Sequence, residues 1–387
     1  MKIGVLIDRL TVGGVEKIAI EEVRALRNLN IDATLVVLSR KAVIENAFKD
    51  ILQDIPIIYL DDRLPSMFKF SFKIPFFYFF SFFHLSYPFL IPFVVKKREF
   101  DFIISHNTYT SFTAITLSKF NRIPYAIYIW DPISYIISKV YAKRPIRRLS
   151  FILNNISKLV DGLIINNSQV VLVSGDLHAR YIKTLSSKKR IIFLSPGHSA
   201  LPEIPKKRGD YVFTVTAWKE GKELEELLKI IAMIKGTKLK IAGRWVHEDY
   251  KKNIINLINE LKISDNVEII GEISEEDLNK FYSKARVTVT VNNERGFGLA
   301  TLEAASNGCP FIISEDSGAA RYFKNNQDGF YFKHADINSL QKYIIQFMND
   351  EKLAYKMGKH AWETVKNNYT WQKHAERLMA ISKIYAK

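Results

Sequence analysis

The chain has 387 residues, 48% of them hydrophobic and 25% charged, with a formal net charge of +16 at pH 7. This length exceeds what one hydrophobic core usually supports, so about two domains are expected, and the composition excludes a largely disordered or fibrous protein. The first 200 positions hold 27 basic and 15 acidic residues, hence +12 of the charge, which favours anionic partners. A single cysteine, Cys309, excludes an internal disulfide framework, and MKIGVLIDRL lacks a signal-peptide pattern, so a cytoplasmic location is expected.

Strand-like runs alternate with helical periodicity through the first half of the chain. Apolar residues recur every three or four positions over Val15–Leu29, which predicts a helix. Strands are predicted around this helix in KIGVLI, DATLVVLS, DFIISH, PYAIYIW and DGLIINNS. Because strands that alternate with helices form mostly parallel sheets, we expect an α/β domain over residues 1–200.

The next feature is an aromatic segment, 64–100, which interrupts this domain. It contains eleven phenylalanines from Phe68 to Phe93 and no acidic residue before Glu99. Prolines interrupt it and it lies between strands of one sheet, so a membrane-spanning helix is not expected. Either its aromatic residues and the nearby cations contact a membrane face, or the aromatic residues line the domain's own core and cleft wall. The nearby cations are Lys69, Lys73, Lys96, Lys97, Arg98, Arg144, Arg147 and Arg148.

The strand and helix rhythm restarts after Leu201–Asp210, a polar stretch with prolines that predicts a linker near 197–210. Strands are expected in YVFTVTA, KLKIAG, NVEIIG, ARVTVTV and CPFIIS, and a helix over Glu223–Lys235. The sequence thus predicts a second doubly wound α/β domain over 201–370 and a C-terminal helix over 371–387 that packs back toward the first domain. Ligands of open α/β sheets lie beyond the carboxyl ends of the strands, so site residues are expected in the loops that follow them.

The loop after the predicted strand Val287–Val291 is glycine-rich and leads into a helix. Gly296 and Gly298 let backbone amides approach a ligand, and the N-terminus of the helix favours an anion or a hydroxyl-rich sugar. The segment NVEIIGEISEEDLNKFYSKARVTVTVNNERGFGLATLEAASNGCPFIIS, followed by Gly318, the pair Asp328-Gly329 and MGKHAWETVKNNYTW, resembles the C-terminal half of family 4 glycosyltransferases. The likeness covers the first domain more loosely. It implies the GT-B fold, in which two Rossmann-like domains face a central cleft.

The resemblance also implies roles for residues of the second domain. Glu303 matches the glutamate that binds the nucleotide ribose. The glutamate that contacts the donor sugar is expected one residue after Glu294, where this chain has Arg295. Glu294 can take this role only if the loop contains a one-residue bulge. Otherwise Glu294 and Arg295 are both solvated loop charges. Lys222 matches the lysine that binds the diphosphate, whereas Trp218 stands near the place of its partner arginine, with Lys219 beside it. The remaining predicted donor-binding residues are Gly14, Arg244, Gly296, Phe297, Gly298 and Leu299.

Acceptor-side candidates lie at the strand ends of the first domain. Gly13 and Gly14 sit between the first strand and the first helix, as they do in the family. His106 matches a family histidine near the donor sugar, but a histidine after a strand is as often a structural hydrogen-bonding group. Asp131 could orient an acceptor hydroxyl and Trp130 could stack on a sugar ring, although Asp before Pro is also a routine turn signal. The predicted catalytic set is therefore Glu294, His106, Lys222 and Asp131.

These observations predict a hexosyltransferase that moves a sugar from a nucleotide-diphosphate sugar to an acceptor hydroxyl. The resemblance implies retention at the anomeric carbon, and neither Asp-x-Asp nor a cluster with metal-ligand spacing occurs in the sequence, so we expect no metal and no cofactor besides the donor. The acceptor is expected to be a glycan or a lipid-linked molecule at the inner face of a membrane. Alternatives are a soluble glycan or protein acceptor, or a catalytically weak nucleotide-sugar-binding protein. Nucleic acid is not an expected partner, because the basic residues form no recognisable binding module.

Overall fold

The protein is described by a computed structural model that covers residues 1–11, 13–40, 52–69, 73–74, 77–81, 83–141, 150–291 and 296–386. It divides into two compact units. Unit 1 combines Met1–Gly197 with Trp371–Lys387, and unit 2 is His198–Thr370. The chain thus leaves unit 1 close to the boundary predicted at residue 200, and its C-terminal segment belongs to unit 1. None of the helices in the described ranges is both long enough and apolar enough to span a bilayer.

Unit 1 contains a seven-stranded parallel sheet. Its strands are β1 (Lys2–Ile7), β2 (Asp32–Val37), β3 (Ile57–Tyr59), β6 (Phe102–His106), β7 (Tyr125–Ile129), β8 (Val170–Val173) and β9 (Ile191–Phe193), while β4 (Lys73–Ile74) and β5 (Phe77–Ser81) form a separate antiparallel pair. The strand order is β3-β2-β1-β6-β7-β8-β9. Every residue of β6, β7 and β8 is buried, as expected for parallel strands covered on both faces.

The helices of unit 1 form two layers, one on each face of this sheet. They are α1 (Gly14–Asn28), α2 (Phe83–Val94), α3 (Thr110–Asn121), α4 (Ile133–Tyr141), α5 (Ser150–Asn167), α6 (Asp176–Leu185) and α13 (Trp371–Tyr385). Parallel crossovers are right-handed, so α3 to α6, which lead from β6 towards β9, lie on one face and α1 lies on the other. Helix α2 packs against α3, and α13 packs against α1.

One predicted strand is wrong. Residues 161–167, from the run DGLIINNS, close helix α5, and strand β8 begins only at Val170. A short apolar run does not distinguish a buried strand from a helix. Here the run has apolar residues on two sides, because Ile164 and Ile165 are buried whereas Leu163 is exposed.

The aromatic segment 64–100 is divided between core and surface. In α2, Tyr87 and Ile91 are buried in the core of unit 1. Leu85, Phe89 and Phe93 lie on the other side of the same helix and are exposed. Internal packing therefore accounts for one side of α2, whereas contact of the exposed side with a membrane stays a prediction.

Unit 2 contains a six-stranded parallel sheet with the order β12-β11-β10-β13-β14-β15. Its strands are β10 (Tyr211–Val215), β11 (Lys238–Ala242), β12 (Val267–Gly271), β13 (Val287–Thr290), β14 (Phe311–Ser314) and β15 (Gly329–Phe332). Its helices are α7 (Leu224–Met233), α8 (Glu248–Glu260), α9 (Glu275–Lys284), α10 (Leu299–Ser306), α11 (Ile337–Asn349) and α12 (Glu351–Asn368). Both units are thus doubly wound α/β domains, which confirms the predicted fold class.

Candidate active site

The strand order of each sheet reverses at one point, and ligands of such sheets bind beyond the carboxyl ends of the strands at this switch. The switch lies between β1 and β6 in unit 1 and between β10 and β13 in unit 2. In unit 2, Lys222 follows β10, Arg244 follows β11, and the segment from Gly296 to Glu303 follows β13. The fold therefore brings these predicted donor-binding residues to one edge of one sheet.

Backbone contacts hold the glycine turn before α10 in place. Gly298 adopts a left-handed conformation with φ of +79° as the N-cap of α10. Gly318, which follows β14, donates its N–H to the carbonyl oxygen of Gly296 at 3.0 Å, and a Cβ on Gly318 would lie 2.7 Å from that oxygen. Phe297 is buried against Tyr322, with ring centroids 5.5 Å apart. Phe297 thus anchors the turn, and any contact it makes with a ligand would come from its backbone.

Glu303 lies on α10, one turn beyond this loop. The hydroxyl of Tyr282 on α9 donates to its Oε2 at 3.1 Å, and Tyr282 is fully buried. Tyr282 therefore fixes the orientation of this half-buried carboxylate on α10. Such a carboxylate can accept hydrogen bonds from two neighbouring hydroxyls of a ribose.

Trp218, which stands near the position where the resemblance implies an arginine, is a structural part of the turn after β10. Its side chain is buried, and its Nε1 donates to the carbonyl oxygen of Ala242 at 2.7 Å. Its backbone pairs with the turn after β11, because Trp218 N donates to Arg244 O at 2.7 Å and Val246 N donates to Trp218 O at 2.9 Å. Trp218 thus places Arg244 directly beside the turn that leads to Lys222.

The turn of Arg244 depends on Gly243, whose φ is +110°. A Cβ on Gly243 would lie 2.0 Å from the carbonyl oxygen of Thr216, which follows β10. The two turns after β10 and β11 are therefore in van der Waals contact at their backbones. Lys222 lies half-buried at the end of the first of these turns, and its N–H donates to Lys219 O at 3.1 Å.

In unit 1, His106 ends β6 and is completely buried. Its Nε2 lies 2.7 Å from Glu22 Oε2, and its Nδ1 accepts a hydrogen bond from Trp130 Nε1 at 3.1 Å. Because Trp130 occupies Nδ1, His106 carries its proton on Nε2 and donates it to Glu22. This placement favours the structural interpretation of His106, and Trp130 is likewise buried rather than presented to a sugar ring.

Glu22 on α1 also binds the C-terminal helix. Its Oε1 lies 2.8 Å from His374 Nε2, and His374 Nδ1 lies 2.6 Å from the carbonyl oxygen of Ser195. Burial alone would raise the pKa of Glu22, but the facing His106 and His374 outweigh burial and lower this pKa to about 2. Both nitrogens of His374 thus face oxygen atoms, so its ring joins Glu22 of α1 to the carbonyl group of Ser195.

The remaining acceptor-side candidates lie at the ends of β1 and β7. Asp131 follows Trp130 and is exposed. The next helix, α4, is held by the buried Asp161, whose carboxylate accepts the backbone N–H groups of Ile133 and Ser134 at 3.0 and 3.1 Å. Gly13 is the N-cap of α1 and Gly14 its first residue. Asp161 therefore fixes the direction in which the chain leaves Asp131.

Several predicted residues lie outside the described residues, namely Glu294, Arg295, Arg144, Arg147 and Arg148. Within the described ranges, no three His, Cys, Asp or Glu residues are grouped so that they could hold a metal ion.

The sequence did not point to Glu22, His374, Tyr282 or Asp161. For Glu22 the sequence contains one indication of burial. Glu22 falls on the apolar side of a periodic helix, among the positions Ile18, Ala19, Val23 and Leu26. Its partner His374 is 352 positions away along the chain, so no local pattern connects the two.

Comparison with known proteins matches residues 202–364 to the family described as glycosyl transferases group 1. The chain is 31% identical over 135 residues to the poly(glycerol-phosphate) alpha-glucosyltransferase of Bacillus subtilis (strain 168), which is 35% of this chain but only 19% of that relative. Among solved structures, the sucrose-phosphate synthase of Thermosynechococcus elongatus has a TM-score of 0.76 at 16% identity, with 99% of this chain and 98% of the other covered. Anabaena HepE in complex with UDP and glucose has a TM-score of 0.74 at 15% identity, with 99% and 100% covered.

These structural likenesses show the fold, which is GT-B with two Rossmann-like domains, as predicted. The sequence match is confined largely to unit 2, where all of the predicted donor-binding residues except Gly14 lie. The match to the family of group 1 glycosyl transferases therefore covers the segment 202–364, which is less than half of the chain.

Proposed function

We propose that the chain is a glycosyltransferase that moves a hexosyl group from a nucleoside diphosphate sugar to an acceptor hydroxyl. One observation carries the proposal: Lys222, Arg244, the Gly296–Gly298 turn and Glu303 lie together at the carboxyl edge of the unit 2 sheet. This edge combines cations, helix N-terminal amides and a carboxylate, which are the groups that bind diphosphate and ribose. The HepE structure with UDP and glucose supports the same ligand class.

In the proposed complex, Glu303 accepts hydrogen bonds from the ribose hydroxyls. The diphosphate lies near the N-terminus of α10, whose first N–H groups have no partner within the helix. Lys222 and Arg244, which lie on the adjacent turns after β10 and β11, neutralise the negative charge that grows on the leaving diphosphate. These two cations fulfil the role that a divalent metal plays elsewhere, so we propose a metal-independent reaction without a further cofactor.

During transfer, the bond between C1 of the sugar and the diphosphate oxygen breaks, and a bond forms between C1 and the acceptor oxygen. The acceptor proton passes to the departing phosphate oxygen. We propose that the sugar keeps its anomeric configuration. The name of the Bacillus subtilis relative specifies an alpha-glucosyl product, and an α product made from an α-linked donor is formed with retention.

For the acceptor, we propose a lipid-linked molecule or glycan at a membrane face, with the enzyme peripheral on the inner side. Exposed Phe89 and Phe93, followed by the exposed cations Lys96, Lys97 and Arg98, support contact with an anionic membrane. The relative named above acts, by its name, on poly(glycerol-phosphate), which is an anionic acceptor.

A thermal-shift screen with UDP-, GDP- and ADP-sugars tests donor binding, and hydrolysis of the stabilising donor without acceptor tests catalysis. We expect one donor class to raise the melting temperature and to be hydrolysed slowly, with no loss of rate in EDTA. Stabilisation without hydrolysis or transfer would identify a nucleotide-sugar-binding protein instead. Strong inhibition by EDTA that added metal reverses would contradict the metal-independent mechanism.

A further inference from the structure

Unit 1 exposes an unusual amount of apolar surface on three helices of one layer. Large hydrophobic side chains are exposed on the outer sides of α2, α3 and α5, namely Leu85, Phe89, Phe93, Phe120, Phe151, Ile152, Ile156, Leu159 and Leu163. Helix α2 packs against α3, and α3 packs against α5. These side chains therefore belong to one helical layer, and we call them the apolar face.

The largest part of the apolar face lies on α5, outside the aromatic segment. Ile152, Ile156, Leu159 and Leu163 recur at helical spacing, and Leu159 is 75% exposed. The opposite side of α5 is buried and contains Asp161, Ile164 and Ile165. Helix α5 is therefore apolar towards solvent as well as towards the core, which is not explained by the packing of unit 1 itself.

Helix α6 in the same layer shows the ordinary pattern. Its exposed positions include Asp176, Arg180 and Lys183, whereas Ala179 and Ile182 are buried. In unit 2, exposed apolar residues such as Met233 on α7 and Ile255 on α8 occur singly, as on most protein surfaces. The apolar face is thus a local property of α2, α3 and α5.

One corner of the apolar face is built from the ends of α2 and α3. Asn121 Nδ2 donates to the carbonyl oxygens of Pro92 at 2.9 Å and Val95 at 2.6 Å, and Arg98 N donates to Asn121 O at 3.0 Å. These bonds join the C-terminal ends of the two helices, where Phe93 is 86% and Phe120 66% exposed. The same ends present the exposed cations Lys96, Lys97, Arg98, Lys119 and Arg122.

We propose that the apolar face, with this cationic corner, is a membrane-docking surface for an anionic bilayer. The rings of Phe93 and Phe120 enter the headgroup region, the neighbouring cations bind lipid phosphates, and the stripe of α5 rests on the acyl boundary. A second copy of the chain fits less well. A second copy would add the positive charge of its own first domain to that of this corner, whereas an anionic bilayer neutralises the charge.

This inference deepens the proposed function, because it rests on the proposed membrane acceptor and adds α3 and α5 to the contact. The donor-binding residues other than Gly14 belong to unit 2 and are not part of this helical layer. Membrane affinity and donor binding can therefore be measured independently.

The test measures binding of the full chain to vesicles of phosphatidylcholine with phosphatidylglycerol, and to pure phosphatidylcholine, at rising salt. We expect preferential binding to the anionic vesicles, weakened but not abolished by salt. The variants Leu159→Ser/Leu163→Ser and Phe93→Ser/Phe120→Ser should each lower the partition coefficient by roughly tenfold or more, because apolar area no longer leaves water. Charge reversal of Lys96, Lys97 and Arg98 should lower it by about fivefold per residue.

Matched controls separate docking from general surface effects. Met233→Ser/Ile255→Ser changes two exposed apolar residues of unit 2, and Arg180→Glu/Lys183→Glu reverses cations on α6; neither should change vesicle binding. Unchanged binding of Leu159→Ser/Leu163→Ser would overturn the inference. So would a salt-stable dimer that the same variant dissociates, or absence of vesicle binding by a chain that transfers sugar to a soluble acceptor. Failure of every nucleotide sugar to bind, with vesicle binding intact, would instead refute the proposed function.

Discussion

Glu22 offers the sharpest test of how unit 1 is held together. It is a fully buried carboxylate between His106 on β6 and His374 on α13, at 2.7 and 2.8 Å. Its pKa is about 2, against 4.5 for an unperturbed glutamate. Because the folded state lowers this pKa, Glu22 stabilises the fold above pH 4.5, and the stabilisation is lost as pH falls through 2. A shift of this size corresponds to about 3 kcal/mol.

We expect Glu22→Gln to destabilise unit 1 by about 3–5 kcal/mol at neutral pH, because it removes the buried carboxylate that both His106 and His374 face. The difference in free energy of unfolding between the parent and the variant should shrink by about 2 kcal/mol between pH 7 and pH 3, because Glu22 becomes protonated in the unfolded parent while it stays ionised in the folded one. Urea unfolding over a pH series gives the free energies. Amide hydrogen exchange in peptides from α1 and α13 assigns the effect to these helices.

Glu21→Gln is the matched control. Glu21 is the neighbouring glutamate of α1, and its partner Arg24 lies three residues away in a partly exposed ion pair, so its loss should cost less than about 1 kcal/mol. A free-energy difference between parent and Glu22→Gln that stays constant with pH would refute the reasoning. It would mean that Glu22 is not ionised in the folded protein.

Three further predictions concern the donor site. Glu303→Ala should weaken binding of the nucleoside diphosphate by about 1.5–3 kcal/mol, measured by calorimetry, because the ribose hydroxyls lose a charged acceptor; an unchanged dissociation constant in a folded variant would reject this role. Lys222→Ala should lower turnover by one to three orders of magnitude, about 2–4 kcal/mol, and Arg244→Ala should act in the same direction; wild-type rates would contradict the phosphate contacts. Glu294→Gln should reduce turnover more than it reduces nucleoside diphosphate binding, whereas Arg295→Ala should not; equal kinetics of Glu294→Gln and the parent would favour two solvated charges.

The sequence by itself predicted the two doubly wound domains. It also predicted that most of the candidate donor-binding residues follow strands of unit 2. These features are local, because hydrophobic periodicity identifies strands and helices, and the residue after a parallel strand must lie at the carboxyl edge of the sheet. The strand predicted in DGLIINNS is wrong because that prediction also used local composition alone. A short apolar run in α5 has the composition of a strand although it is helical.

Only the tertiary structure decided what single side chains do. It paired Glu22 with His374 across 352 positions, and it showed that Trp218 is a buried anchor whose backbone brings Arg244 beside the turn of Lys222. It also decided which side of α5 faces solvent. Periodicity shows that a helix has apolar residues on several sides, but only the packing of its neighbours determines which of them remain exposed.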